Sequence, residues 1–72
     1  MTEYENKLQE LKSIMNLTDP ESMEKKEGLL RWLEANSNDD TNQASLDAFI
    51  ENGIAEERKE ISTILSRLAP SV

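Results

Sequence analysis

Apolar residues recur at intervals of three and four along most of this 72-residue chain, the spacing that places side chains on one face of an α-helix. Tyr4, Leu8, Leu11 and Met15 form the clearest such stripe. No segment shows the sustained alternation of polar and apolar residues that is typical of a strand. The pattern predicts an all-α fold, a compact bundle of three or four short helices, at about residues 2–16, 19–36, 41–52 and 54–69.

Capping residues support the starts of the first two helices. Thr2 and Glu5 have the spacing of a capping box, in which each side chain accepts a hydrogen bond from the backbone N–H of the other residue. Asp19 can cap the second helix, and Pro20 suits its first position because the N–H that proline lacks is not needed there. We therefore expect both helices to begin at these residues.

The third helix has a capping residue at its start and two alternative ends. Asp40 or Thr41 can cap its first turn. Gly53 is a stop signal because glycine tolerates the left-handed conformation that ends many helices, and Ile54 would then fold back onto Phe49. Alternatively, the apolar positions stay roughly in phase across Gly53, and one long helix forms at a cost of about 1 kcal/mol relative to alanine. We expect the break, and hence four helices.

Composition narrows the chemistry. The length permits one domain, residues 1–72. With no cysteine and no histidine, the chain lacks disulfides, thiolate zinc sites, a cysteine nucleophile and the commonest general base. Two pairs of adjacent carboxylates, Asp39/Asp40 and Glu56/Glu57, lie at predicted helix starts, where acids stabilise the positive end of the helix dipole. We therefore expect a non-enzymatic protein with no cofactor and no bound metal.

The chain carries 15 Asp and Glu against 8 Lys and Arg, a formal charge of −7, and the excess is uneven. Between Arg31 and Arg58 there is no Lys or Arg, but there are seven acids: Glu34, Asp39, Asp40, Asp47, Glu51, Glu56 and Glu57. One interpretation is a surface that binds a basic partner; the other is that helix starts attract acids and charge keeps the protein soluble. Helix starts do not explain Glu34, Asp47 or Glu51, and Glu51 opposes the dipole in the last turn of its helix.

Trp32 is the other singular residue. It lies on the flank of the apolar face of the second helix, and its neighbours at i−4 and i+3, Gly28 and Ala35, are small. Either the first or fourth helix covers the ring as part of the core, which we favour, or a partner binds it, since tryptophan is enriched at interaction hot spots. The predicted partner-binding residues are therefore Trp32 and the seven acids.

A nucleic-acid partner is the weaker alternative. Residues 45–54, followed by Ile61, resemble a helix-turn-helix in which a small residue precedes a turn with glycine and an apolar residue. Ala48 and Gly53 are, however, five residues apart where the motif usually has four. The would-be reading helix also places three glutamates beside Arg58 and Lys59, and acids repel phosphates.

These observations favour a small acidic protein–protein interaction or regulatory module with a protein partner of unknown identity and basic character. The alternatives are an inhibitor that mimics DNA on a basic nucleic-acid-binding protein, and a divergent helix-turn-helix protein that binds DNA. A homodimer is plausible because so small a core gains from being shared. The chain shows no signal-peptide pattern and no apolar run long enough to span a membrane, so we expect a cytoplasmic protein with no membrane contact.

Overall fold

Four α-helices form the fold in the computed structural model, which describes residues 2–68. Their bounds confirm the all-α prediction to within two residues, and residue 69, the predicted end of the last helix, lies outside the described residues together with residues 1 and 70–72. None of the helices in this part of the chain has the length and apolar character needed to cross a membrane. The helices are α1 (Glu3–Ile14), α2 (Pro20–Ala35), α3 (Asp40–Glu51) and α4 (Ala55–Leu68).

The starts of α1 and α2 are capped as predicted. The amide of Glu5 donates to Thr2 Oγ1 at 3.1 Å and the amide of Thr2 donates to Glu5 Oε1 at 3.3 Å, which completes the capping box. Asp19 Oδ2 accepts from the amide of Ser22 at 3.2 Å, and Pro20 is the first residue of α2. These bonds satisfy amides that have no partner within the first turn of a helix.

The cap of α3 was predicted wrongly. Asp39, rather than Asp40 or Thr41, caps the helix, because the backbone of Asp39 is extended and its Oδ1 accepts from the amide of Asn42 at 2.7 Å. Asp40 is the first residue of α3 and lies in its first turn, where its charge stabilises the helix dipole.

The chain breaks between α3 and α4 as expected, but by a different geometry. Gly53 does not adopt a positive φ, and Asn52 keeps right-handed values. The amide of Gly53 donates to the carbonyl of Ile50 at 3.2 Å, a tighter turn than that of the helix. We expected Ile54 to fold back onto Phe49, but it precedes the first residue of α4 and is 63% exposed.

Ten buried residues form a single core to which all four helices contribute. α2 packs against α1 and α4, and α3 packs against α1 and α4. The core includes all four residues of the apolar stripe predicted for the first helix. The core residues are Tyr4, Leu8, Leu11, Met15, Leu29, Leu30, Leu33, Leu46, Ile61 and Ile64.

Lys26 is also buried, which the sequence did not indicate. Its side chain is 0% exposed, and its ammonium donates to the carbonyl of Met15 at 2.9 Å and to Glu60 Oε1 at 3.0 Å. The bonds join α2 to the end of α1 and to α4. Lys26 is therefore a structural residue, because a buried ammonium is tolerated only when it is hydrogen-bonded.

Candidate functional site

The seven acids of residues 32–57 lie on α2, α3 and α4 and in the turn before α3. Glu34 lies in the last turn of α2, and Glu57 is half-buried while the other six are exposed. Three ion pairs occur among residues 2–68, and none of them includes any of the seven acids. In this part of the chain, no Lys or Arg nitrogen therefore lies within 4.0 Å of their carboxylates. The three pairs are Lys25–Glu10 at 3.6 Å, Lys26–Glu60 at 3.0 Å and Arg31–Glu27 at 3.5 Å.

Three of these acids act on one buried hydroxyl. The hydroxyl of Tyr4 donates to the carbonyl of Leu33 at 3.2 Å. Burial raises the pKa of Tyr4, and the negative charges of Glu34, Asp39 and Asp47 raise it further. Packing therefore brings charges from the end of α2, the turn before α3 and the middle of α3 within electrostatic range of a single point on α1.

A second group of acids forms a line along α3. Asp40, Asp47 and Glu51 are separated by seven and four residues, so they share one face of the helix, and all three are exposed. The line runs about 16 Å at 1.5 Å per residue. Ala44 and Ala48 are exposed beside this line of acids, and their side chains are small. We call Asp40, Asp47 and Glu51 the α3 stripe.

Glu56 and Glu57 lie in the first turn of α4 and differ in role. Glu57 Oε1 accepts from the amide of Ile54 at 3.3 Å, so it satisfies a backbone group at the start of the helix. Glu56 is exposed, as is Ile54 beside it. The bond to the Ile54 amide therefore explains why an acid stands at position 57, in the first turn of α4.

Trp32 lies against α1. Its ring is half-buried and packs on the core, with its centroid 6.0 Å from that of Tyr4. The ammonium of Lys7 lies 5.8 Å from the centre of the Trp32 ring, a distance at which a cation is attracted to an aromatic face. α1 therefore covers part of the ring, which fits the core role that we favoured.

The segment that resembles a helix-turn-helix spans α3 and α4, which are joined by residues 52–54. Two of the three glutamates that opposed DNA binding have partners within the protein: Glu57 bonds to the amide of Ile54, and Glu60 bonds to Lys26. The exposed charged residues of α4 are therefore one acid and three bases, namely Glu56 and Arg58, Lys59 and Arg67. The acids of neighbouring α3 still oppose the approach of a phosphate backbone.

The titratable groups with clearly shifted pKa values have structural explanations. Burial, followed by the negative charges of Glu34, Asp39 and Asp47, raises the pKa of Tyr4. Hydrogen bonds from Ser22 lower the pKa of Asp19, the cap of α2. Among residues 2–68, no three carboxylates are grouped so as to hold a metal ion. Attraction of a cationic surface is the chemistry that the described acids support best.

Comparisons of this chain with protein-family models, curated proteins and solved structures found no match. Function is therefore inferred from the side chains themselves. Beyond the predicted acids, the structure adds one feature that sequence reasoning missed, the exposed side chain of Ile54. The sequence could have indicated this feature, because Ile54 occupies the position just before α4, where Ser, Thr, Asp or Asn would stabilise the helix.

Proposed function

We propose that this protein is a non-enzymatic protein–protein interaction module with a regulatory role, and that the acidic face of α3 binds a basic protein partner. The observation that carries the proposal is the α3 stripe: Asp40, Asp47 and Glu51 are exposed, aligned and outside every ion pair of residues 2–68. Aligned charges of one sign accelerate encounter with an oppositely charged surface and select against partners of like charge.

Helix stability does not account for the α3 stripe. Asp40 lies in the first turn, where it is favourable, but Glu51 is the last residue of α3, where an acid opposes the dipole at a cost of about 0.3–1 kcal/mol. Asp47 and Glu51 are also like charges four residues apart, at a cost of about 0.2–0.5 kcal/mol that the bond from Gln43 Nε2 to Asp47 Oδ1 at 3.0 Å offsets, so the net cost of the stripe comes from Glu51. An arrangement that costs stability and leaves charge exposed supports a role in binding.

Affinity capture with matched charge variants tests the proposal. The variant D40N/D47N/E51Q removes the stripe, and E3Q/E21Q/E24Q is the control, because it removes three exposed acids elsewhere and has the same net charge. We expect the wild-type protein and the control to retain the same basic protein from a lysate of the source cells. The stripe variant should lose it, and binding should weaken steeply as salt rises. Equal retention by both variants would contradict the proposal.

A DNA-mimicking inhibitor is the second candidate, and the alignment of the α3 stripe supports it. The charge density does not, because three carboxylates over about 16 Å compare with one phosphate per 3.4 Å on a DNA strand. If the captured partner binds DNA and duplex DNA displaces it from this protein, mimicry is the better description. A gel-shift assay at low salt tests the helix-turn-helix alternative, for which we expect no retardation of DNA.

A further inference from the structure

Ile54 is exposed at a position where a polar residue would be more stable. Its carbonyl accepts from the amide of Arg58 at 3.0 Å, so it occupies the position that caps α4. The other three helices are capped by the side-chain oxygens of Thr2, Asp19 and Asp39. Ile54 offers no such oxygen and is 63% exposed, so it serves neither the cap nor the core.

Ile54 borders an open cleft of about 210 Å³ between the α1–α2 connection and the start of α4. Leu17, the other large hydrophobic side chain that is exposed in residues 2–68, lies in that connection. A second cleft of about 160 Å³ shares Met15 and Glu57 with the first and is floored by Phe49 and Ile61. Both volumes fall below the roughly 300–1,000 Å³ of small-molecule pockets, and each has room for about one side chain.

The rim of the first cleft is acidic. Glu56 and Glu57 border it with Glu60, whose charge is paired with Lys26. A second copy of this chain would place Glu56 and Glu57 against their own counterparts in a twofold contact, and like charges repel. A partner that carries Lys or Arg next to an apolar side chain matches the first cleft and its rim, whereas the second cleft is lined by Lys12 as well as Glu57. Charge complementarity therefore selects a basic partner over self-association.

We infer that this end of the bundle docks a basic, amphipathic segment of a partner protein, whose apolar side chain packs on Ile54. We call Ile54, Glu56 and the two clefts the Ile54 surface. The inference rests on the proposed function, since the segment would belong to the same basic partner, and it adds an apolar contact to the acidic α3 stripe.

The variants Ile54→Val and Ile54→Thr separate binding from stability. Valine and threonine have nearly the same shape, but threonine replaces a methyl group by a hydroxyl that can cap α4. We expect Ile54→Thr to unfold at a higher urea concentration than Ile54→Val. We also expect Ile54→Thr to bind the lysine peptide described below about tenfold more weakly than Ile54→Val, because binding then buries one methyl group fewer and desolvates a hydroxyl. A residue without a binding role would change stability alone.

The probe is a synthetic 14-residue amphipathic helix with leucine on one face and lysine on the other, added to the full chain. Its control has glutamate in place of every lysine. Calorimetry gives affinities, and backbone amide shifts locate the site. We expect the lysine peptide to shift amides of residues 15–18 and 52–57, and the glutamate peptide to bind at least tenfold more weakly because the rim repels it.

Several outcomes would overturn the inference. Equal binding of both peptides would refute the electrostatic match, and shifts at residues 15–18 and 52–57 that grow with protein concentration alone would identify a second copy as the occupant. Absence of binding, or unchanged affinity in Ile54→Thr with shifts confined to α3, would remove the Ile54 surface while leaving the proposed function intact. Conversely, if Ile54→Thr loses the natural partner and D40N/D47N/E51Q keeps it, the Ile54 surface holds and the proposed role of α3 fails.

Discussion

Replacing Lys26 by methionine should destabilise this protein substantially although the buried volume is nearly conserved. The substitution removes the bonds from the ammonium to the Met15 carbonyl at 2.9 Å and to Glu60 at 3.0 Å. Hydrogen bonds to charged groups contribute about 1.5–3 kcal/mol each, but the Glu60 side chain is 25% exposed and regains water when its partner is lost. We therefore expect a loss of about 2–3 kcal/mol, a large share of the roughly 4–11 kcal/mol typical of this length.

Urea unfolding followed by Trp32 emission and by far-UV circular dichroism measures this effect. The variants K26M, E60Q and K26M/E60Q complete a double-mutant cycle, and we expect a coupling of at least about 1 kcal/mol because the two side chains are in contact. Lys25→Met is the matched control on the same helix. Its partner, Glu10, is 3.6 Å away and both side chains are largely exposed, so we expect a change below about 0.5 kcal/mol.

Two results would refute this account of Lys26. One is an unfolding free energy of K26M within about 0.5 kcal/mol of the wild-type value, since the lost bonds would then have contributed nothing net. The other is strict additivity of K26M and E60Q, which would show that the ion pair does not join α2 to α4.

Three further predictions test the fold. Stability should fall as the pH rises above about 10, because the raised pKa of Tyr4 keeps its hydroxyl protonated in the folded state after the unfolded chain has ionised. Tyr4→Phe should abolish this pH dependence and cost about 1 kcal/mol at neutral pH through the lost bond to Leu33. Identical pH profiles of the variant and the wild-type protein would contradict the prediction. Gly28→Ala should stabilise α2 by about 0.8–1 kcal/mol in urea unfolding because an added Cβ meets nothing within 4 Å, so an unchanged midpoint would be evidence against open space there. Asp19→Ala should destabilise the protein at neutral pH, where the ionised carboxylate bonds to Ser22. Because the pKa of Asp19 is lowered in the folded state, the wild-type protein should lose this advantage as the pH falls below 3.8, and the two stabilities should converge. A stability difference that does not change with pH would show that the charge of the carboxylate is not its cause.

The sequence was sufficient for the features that depend on near neighbours. The stripe that begins at Tyr4 and the box formed by Thr2 and Glu5 are set by residues three and four apart, so the helices and the core could be predicted. Lys26 could not, because its partners are 11 and 34 residues away and a lysine on an amphipathic helix ordinarily reaches water. The expectation that Ile54 folds back onto Phe49 assumed a left-handed Gly53, whereas Gly53 does not adopt a positive φ and Ile54 is exposed.

For the acidic candidate surface too, the sequence predicts the features that depend on near neighbours and not those that depend on packing. The absence of Lys and Arg between residues 31 and 58 is visible in the sequence, and so is the alignment of Asp47 with Glu51. The convergence of Glu34, Asp39 and Asp47 on the Tyr4 hydroxyl depends on the packing of α1 against its neighbours. Periodicity within one helix does not contain that information.

The bonds of Lys26 also bear on when the chain folds during synthesis. Glu60 leaves the ribosome 34 residues after Lys26. Until then, packing of α1 against α2 would enclose an ammonium whose acceptors are the Met15 carbonyl and the weakly accepting sulfur of Met23, with no carboxylate to balance its charge, which is costly in an apolar setting. The first two helices therefore gain little by docking early, and we expect the nascent chain to fold in one cooperative step once α4 has been made.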